Sequence, residues 1–168
     1  SEIRTSERRM IKRILEFGES KAADALIPLV DVDAISDSAT VTDALQAFEK
    51  NRHSRMPVYS KRVDNIVGVL EIYDLLRITS LSQKVNELMT AAHYVADTQA
   101  LQDVLSNIHQ EKNEISIVVD EHGGAVGVLT SEDIMEEVVG EIHDEYDSEK
   151  LPYRSHSEKM WTVQAKMS

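Results

Sequence analysis

Gly127-Val128-Leu129-Thr130-Ser131-Glu132-Asp133 is the segment of this sequence best equipped for chemistry. A β-rich run ends at Thr130 and a helical pattern begins there. A helix start offers free N–H groups and a partial positive charge, both suited to a phosphate. Thr130 adds a hydroxyl donor, and Asp133, one turn in, can accept both hydrogens of a ribose diol. The same spacing has a plainer use, with Thr130 as N-cap and Asp133 as the acid of a capping box. The two readings are compatible, because a cap can be exchanged for a ligand. Other chemistries fare poorly. Asp31-Val32-Asp33 with Asp37 echoes a calcium loop but lacks its central Gly and closing Glu. No His-Glu-x-x-His pair, Walker-type loop or Gly-x-Ser-x-Gly elbow occurs. The six histidines are scattered, and the lack of cysteine removes disulfides, zinc–thiolate sites and thiol nucleophiles together. The residues point to a protein that is not an enzyme.

The elements that must position Thr130 and Asp133 are written twice. Sliding the chain by ~60 residues, within the repeat periods that mark duplicated units, sets Val41, Ala44, Leu45 and Phe48 against Leu101, Val104, Leu105 and Ile108. Each set follows the i, i+3, i+4, i+7 spacing of one helical face. One residue drops out in the next turn, after which Val67-Gly68-Val69-Leu70 matches Val126-Gly127-Val128-Leu129, and Asp74 matches Asp133. Each copy reads as an extended lead-in (Ala34–Ile35, Tyr94–Val95), a helix, a strand (Met56–Tyr59, Ile115–Val119), a turn, a strand through Gly68 or Gly127, and a second helix. That is β-α-β-β-α, an α+β fold in which two copies pack sheet to sheet as a pseudo-twofold pair. Ahead of the repeat, Met10, Ile11, Ile14, Leu15 and Phe17 predict a leading helix, and Ala22–Ile27 a short second one ending at Pro28. Leu81–Met89 plays the corresponding lead-in role for the second copy. Behind it, Met160-Trp161-Thr162-Val163 reads as a strand with nothing left to pair with, the first strand of a truncated next domain. The division expected is a helical linker over 1–21, motifs over 22–80 and 81–147, and a linker with that strand over 148–168.

The 168 residues hold 18 bases against 30 acids, a net charge of −12. Nine of the acids and none of the bases lie in residues 131–149. A cationic surface for nucleic acid or anionic lipid is therefore excluded as a main function. Ile134, Met135, Val138, Val139 and Ile142 give this stretch an apolar side. The acids, Glu136, Glu137 and Glu141 among them, then form either a solvated face or a face that recruits Mg²⁺ when two copies meet. No window approaches the ~20 apolar residues of a membrane span, and the chain reads as an excised soluble piece.

The repeat resembles a tandem pair of CBS motifs over roughly residues 22–140, with Gly127-x-x-Thr130-x-x-Asp133 similar to the family's ribose–phosphate element. A narrower likeness lies in His53-Ser54-Arg55-Met56-Pro57-Val58, Asp120-Glu121-His122-Gly123-Gly124, Val139-Gly140-Glu141-Ile142-His143-Asp144-Glu145-Tyr146-Asp147 and Ser6-Glu7-Arg8-Arg9-Met10-Ile11. These resemble the CorC/HlyC, hemolysin-like group of magnesium and cobalt transporters, relatives of the CNNM proteins. The resemblance implies a cytosolic regulatory module of a bacterial integral membrane protein, set between its membrane domain and a small C-terminal domain. It implies homodimerisation and binding of an adenine nucleotide, AMP, ADP or ATP, with or without Mg²⁺. Thr130 and Asp133 match the phosphate and ribose positions, Ile27, Pro28 and His53 the adenine surroundings, and Arg55 a cation near the phosphates. Any FAD-type ligand would belong to the C-terminal domain, of which almost nothing is present. The first copy departs from the pattern: Glu71 stands where Thr130 does, and Leu26-Ile27-Pro28-Leu29 replaces Met-Thr-Pro-Arg. One competent site at Thr130 and Asp133 is expected, with a weak or empty pseudo-site at Asp74.

Overall fold

A computed structural model describes residues 5–78, 80–111, 114–139, 153–157 and 160–163. The leading apolar stripe forms helix α1 (Thr5–Phe17), followed by α2 (Ala22–Ala25) and a two-residue strand, β1 (Ile27–Pro28). The expected helix over Ala22–Ile27 thus stops early, and Leu26 is already extended. Pro28 disfavours helical backbone at the residue before it, so Ile27 goes into a strand rather than a last turn. The first motif continues with β2 (Ile35–Ser36), α3 (Val41–Asn51), β3 (Arg55–Tyr59) and β4 (Ile66–Glu71). It closes on a 3₁₀ turn, Ile72–Arg77, where a second α-helix was expected. A further 3₁₀ turn, Val85–Glu87, leads to β5 (Thr90–Ala91). The second motif is β6 (Tyr94–Ala96), α4 (Leu101–Glu111), β7 (Ile115–Val119), β8 (Ala125–Thr130) and α5 (Ser131–Val139). Beyond it, β9 (Tyr153–Ser157) and β10 (Met160–Val163) pair antiparallel. The C-terminal strand therefore has a partner, and is the second strand of a hairpin rather than a lone first strand.

Two four-stranded sheets result, ordered β2-β3-β4-β5 and β1-β8-β7-β6. Each combines a parallel pair (β2 with β3, β6 with β7) with antiparallel neighbours. The edge strands are exchanged: β1, from ahead of the first motif, joins the second sheet, and β5, from ahead of the second motif, joins the first. This exchange explains the glycine in both Val-Gly-Val-Leu runs. A Cβ at Gly127 would collide with the Ile27 carbonyl oxygen, and one at Gly68 would stand 2.7 Å from the Thr90 carbonyl oxygen. Only glycine lets the edge strand come so close.

Each motif has its own core. Val41, Ala44, Phe48, Met56, Val58 and Leu70 fill the first; Leu101, Val104, Ile108, Val118, Leu129 and Ile134 fill the second. Between the sheets, Ile66, Ile117, Ala125 and Val128 pack together. Polar ties cross the same seam, with Tyr94 Oη donating to the Ile66 carbonyl (2.8 Å) and the Ala125 N–H to the Asp64 carbonyl (2.8 Å). The turns lie at one end of the pair. The β4 and β8 C-termini, Glu71 and Thr130, lie at the other.

Candidate functional site

Thr130 is the N-cap of α5, and its contacts with Asp133 are reciprocal. Asp133 Oδ2 accepts from the Thr130 N–H at 2.8 Å and from its hydroxyl at 2.6 Å, while the Asp133 N–H donates to Thr130 Oγ1 at 3.3 Å. Both residues are half-buried. The hydroxyl and carboxylate needed for a phosphate and a ribose are thus side by side and turned toward each other. A second Thr-x-x-Asp, Thr40 and Asp43 at the start of α3, forms the same box at 2.8, 2.7 and 3.3 Å. The box geometry is therefore a capping device in both places, and what distinguishes Thr130 is its surroundings.

Those surroundings begin with β1. Its register sets Ile27 opposite Val128 and Pro28 opposite Gly127, within three residues of Thr130. Ile27 is 37% exposed, an apolar surface at the edge of the sheet. The chain then makes a 3₁₀ turn, Leu29–Asp31, packed against β8. Asp33 follows, and His53 Nε2 lies 3.2 Å from its Oδ2. His53 is exposed and is engaged by that carboxylate.

Arg55 begins β3, directly across the ladder from Glu71. The equivalent pair in the second sheet is Ile115 and Thr130. Arg55 Nε donates to Glu71 Oε1 at 3.2 Å, and its Nη2 contacts Glu114, the residue just ahead of Ile115. Glu132 lies within its field as well. The Glu132 carboxyl is held below the usual glutamate value, first by its own backbone N–H, then by the Ser131 hydroxyl, with Thr130 and the Arg55 charge adding against partial burial. The cation expected near the phosphates therefore sits at the seam between the motifs, held by the carboxylates of Glu71 and Glu114, with its charge reaching Glu132 at the first turn of α5. On the Glu71 side the two motifs leave a cleft of about 50 Å³ between Arg55, Glu71, Thr90, His93, Glu114 and Ile115.

Asp74 sits in the 3₁₀ turn that follows Glu71, in the motif of the other sheet. Glu136 and Glu137 are exposed on α5, whereas Glu141 lies outside the described residues. Among the described residues no group of three His, Asp or Glu side chains could hold a metal ion. Sequence reading missed Glu114, the partner of Arg55, and Glu132. The repeat offset carried the signal: it aligns Glu114 with Ser54, next to Arg55. It missed the His93 Nδ1 contact to Ser116 Oγ (3.0 Å) too, which satisfies a fully buried hydroxyl. The Thr130 end offers a hydroxyl, a carboxylate and the apolar edge of β1, and the Arg55 cation nearby is held by carboxylates.

The CBS-domain family profile matches residues 24–80 and 85–140. Hemolysin C of Brachyspira hyodysenteriae is 31% identical over 166 residues, covering 99% of this chain and 62% of the relative. The magnesium and cobalt efflux protein CorC of Salmonella typhimurium is 31% identical, covering 94% of this chain and 56% of the relative. The chain thus spans little more than half the length of these relatives. The solved CBS domain of the bacterial CNNM/CorC family Mg²⁺ transporter, in complex with ATP, is 38% identical with a TM-score of 0.76, covering 81% of this chain and 99% of that one. Among the described residues no helix is long and apolar enough to cross a membrane. With the repeat, the paired sheets and these relatives in agreement, the chain belongs to the CBS-domain family, as a tandem CBS pair of the CorC/CNNM, hemolysin-like type.

Proposed function

We propose that this CBS pair is a non-enzymatic regulatory module that binds an adenine nucleotide and modulates a divalent-cation transporter of the CorC type. The observation that carries the reading is the convergence at the first turn of α5 of a hydroxyl, a carboxylate, the apolar edge of β1 and a cation. The ATP complex of a relative supports it. In this reading Thr130 meets phosphate, Asp133 meets the ribose, Ile27, Pro28 and His53 line the adenine, and Arg55 turns to the phosphates. The Glu71 and Asp74 end is a weak pseudo-site, because a carboxylate stands there in place of the Thr130 hydroxyl and would repel a phosphate. The parent's membrane domain and a second copy of the chain are the partners, and the cytosol its place. Helix α1 packs along α5, so a ligand that reshapes the first turn of α5 bears on the segment leading out of the pair. A ligand moves such an equilibrium only by its differential affinity for the two arrangements.

Calorimetry with AMP, ADP and ATP, with and without Mg²⁺, tests the proposal. Saturable binding at or below millimolar concentration is expected, lost in Asp133→Ala. No binding by the unaltered chain at millimolar nucleotide would overturn it. One observation favours a second reading, a nucleotide-independent dimerisation and linker module: Arg55 is already held by Glu71 and Glu114. That reading predicts a dimer in sedimentation that ignores nucleotide. Direct Mg²⁺ sensing by the acidic face of Glu136, Glu137 and Glu141 predicts instead a thermal shift with Mg²⁺ alone.

A further inference from the structure

Arg55 is shared between the two motifs, and its nitrogens are divided in a telling way. Nε is bound by Glu71, its ladder partner on the neighbouring strand of the same sheet. That contact orients the guanidinium without using its outer end. With Nε taken by Glu71, the parallel N–H pair left to grip a phosphate is that of the outer end, Nη1 and Nη2. One of those outer nitrogens, Nη2, is in contact with Glu114. Glu114 belongs to the second motif and immediately precedes β7, whose first residue faces Thr130 across the ladder. The Arg55 side chain is 24% exposed and that of Glu114 61% exposed. The competing carboxylate can therefore swing into solvent, while the cation stays at the seam.

We infer that Glu114 is a specificity-determining residue: it competes within the molecule for the outer end of Arg55 and so weakens the Thr130 site for phosphate-bearing ligands while leaving its affinity for an uncharged nucleoside unchanged. The inference rests on the nucleotide-binding reading above. Glu71 positions the guanidinium, Glu114 occupies it when the site is empty, and a polyphosphate displaces Glu114. A nucleoside without phosphate offers nothing to exchange and leaves the pair intact. Displacement exchanges the ion pair between the start of β3 and the start of β7 for a link through the ligand's phosphates.

The test is calorimetric titration of the whole chain with ATP and with adenosine, in the unaltered protein, Glu114→Gln, Arg55→Gln and the double variant. Exposed ion pairs have modest strength, so Glu114→Gln should bind ATP about 2–5-fold more tightly and adenosine no differently. In the Arg55→Gln background the gain should vanish, because the partner competed for is gone. ATP affinity unchanged by Glu114→Gln in a chain that does bind ATP would overturn the inference and leave the nucleotide reading standing. A gain that persists without Arg55 would overturn it too, since it would report only the removal of a negative charge. Absence of nucleotide binding in all four proteins would overturn both.

Discussion

The ends of β4 and β8 are the same place in two copies of one motif, yet they finish differently. Strand β8 ends on Thr130, whose hydroxyl caps α5 and whose ladder partner is the uncharged Ile115. Strand β4 ends on Glu71, which makes no side-chain cap, and the chain goes on as a six-residue 3₁₀ turn instead of an α-helix. A threonine oxygen can take the free N–H two or three residues on and stabilise an α-helical first turn. Glu71, longer and paired with Arg55, is spent on the neighbouring strand. One residue difference thus accompanies a change in both the following helix and the local charge. The Thr40–Asp43 box adds the complementary lesson. It has the same hydrogen bonds as Thr130–Asp133, but Thr40 bridges to Lys84 whereas strand β8, which ends on Thr130, pairs with β1, so neighbours rather than the box select the candidate site.

The comparison can be broken most forcefully in the cores that support both ends. Leu70 and Leu129 are each 0% exposed at matching positions. Truncation of either to Ala is expected to cost about 2–5 kcal/mol in urea unfolding; strongly unequal costs would show that the repeats are not equivalent in packing. Next in size, Asp133→Ala should lower stability by about 0.5–2 kcal/mol through the lost capping box and weaken ATP binding at least tenfold. Asp43→Ala should show a cap loss of the same kind with ATP binding unchanged. If Asp43 matters to ATP as much as Asp133, the two boxes do not differ as described. Glu71→Thr sharpens the contrast from the other side. It should restore a cap, and the NMR backbone shifts of residues 72–77 should move toward α-helical values.

The smallest effect concerns pH. The Asp43 carboxyl lies below its ordinary value, first because of the Thr40 backbone N–H, then the Thr40 hydroxyl, with Lys84 adding. A carboxyl whose folded pKa is lowered stabilises the fold above its unfolded pKa, about 4, and that contribution disappears as pH falls through the lower folded value. Urea midpoints should therefore fall as pH drops below about 4, and Asp43→Asn should remove part of that slope.

Much of this was legible in the residues. The repeat offset was enough to place α3, α4, β3, β4, β7 and β8, because each is carried by a local period that neighbours in sequence set. The Thr130 and Asp133 box was legible for the same reason, since its partners are three residues apart. Where local signals were weak, the reading slipped. Helix α2 ended short of Ile27, and the first motif closed on a 3₁₀ turn because a cap depends on one side chain. Strand β10 found its partner in β9, a run of Tyr, Arg, Ser and His without an apolar alternation to announce it.

What the sequence determined by itself was thus the motif, its duplication and the capping chemistry at Thr130, all products of short-range spacing. What only the tertiary structure decided was company. The exchange of β1 and β5 between sheets brings Ile27 and Pro28 beside Thr130, although about a hundred positions separate them in the chain. The seam between the motifs brings Glu114 to Arg55. Contacts of that range follow from how two sheets close on a common core, and no period along the chain encodes them.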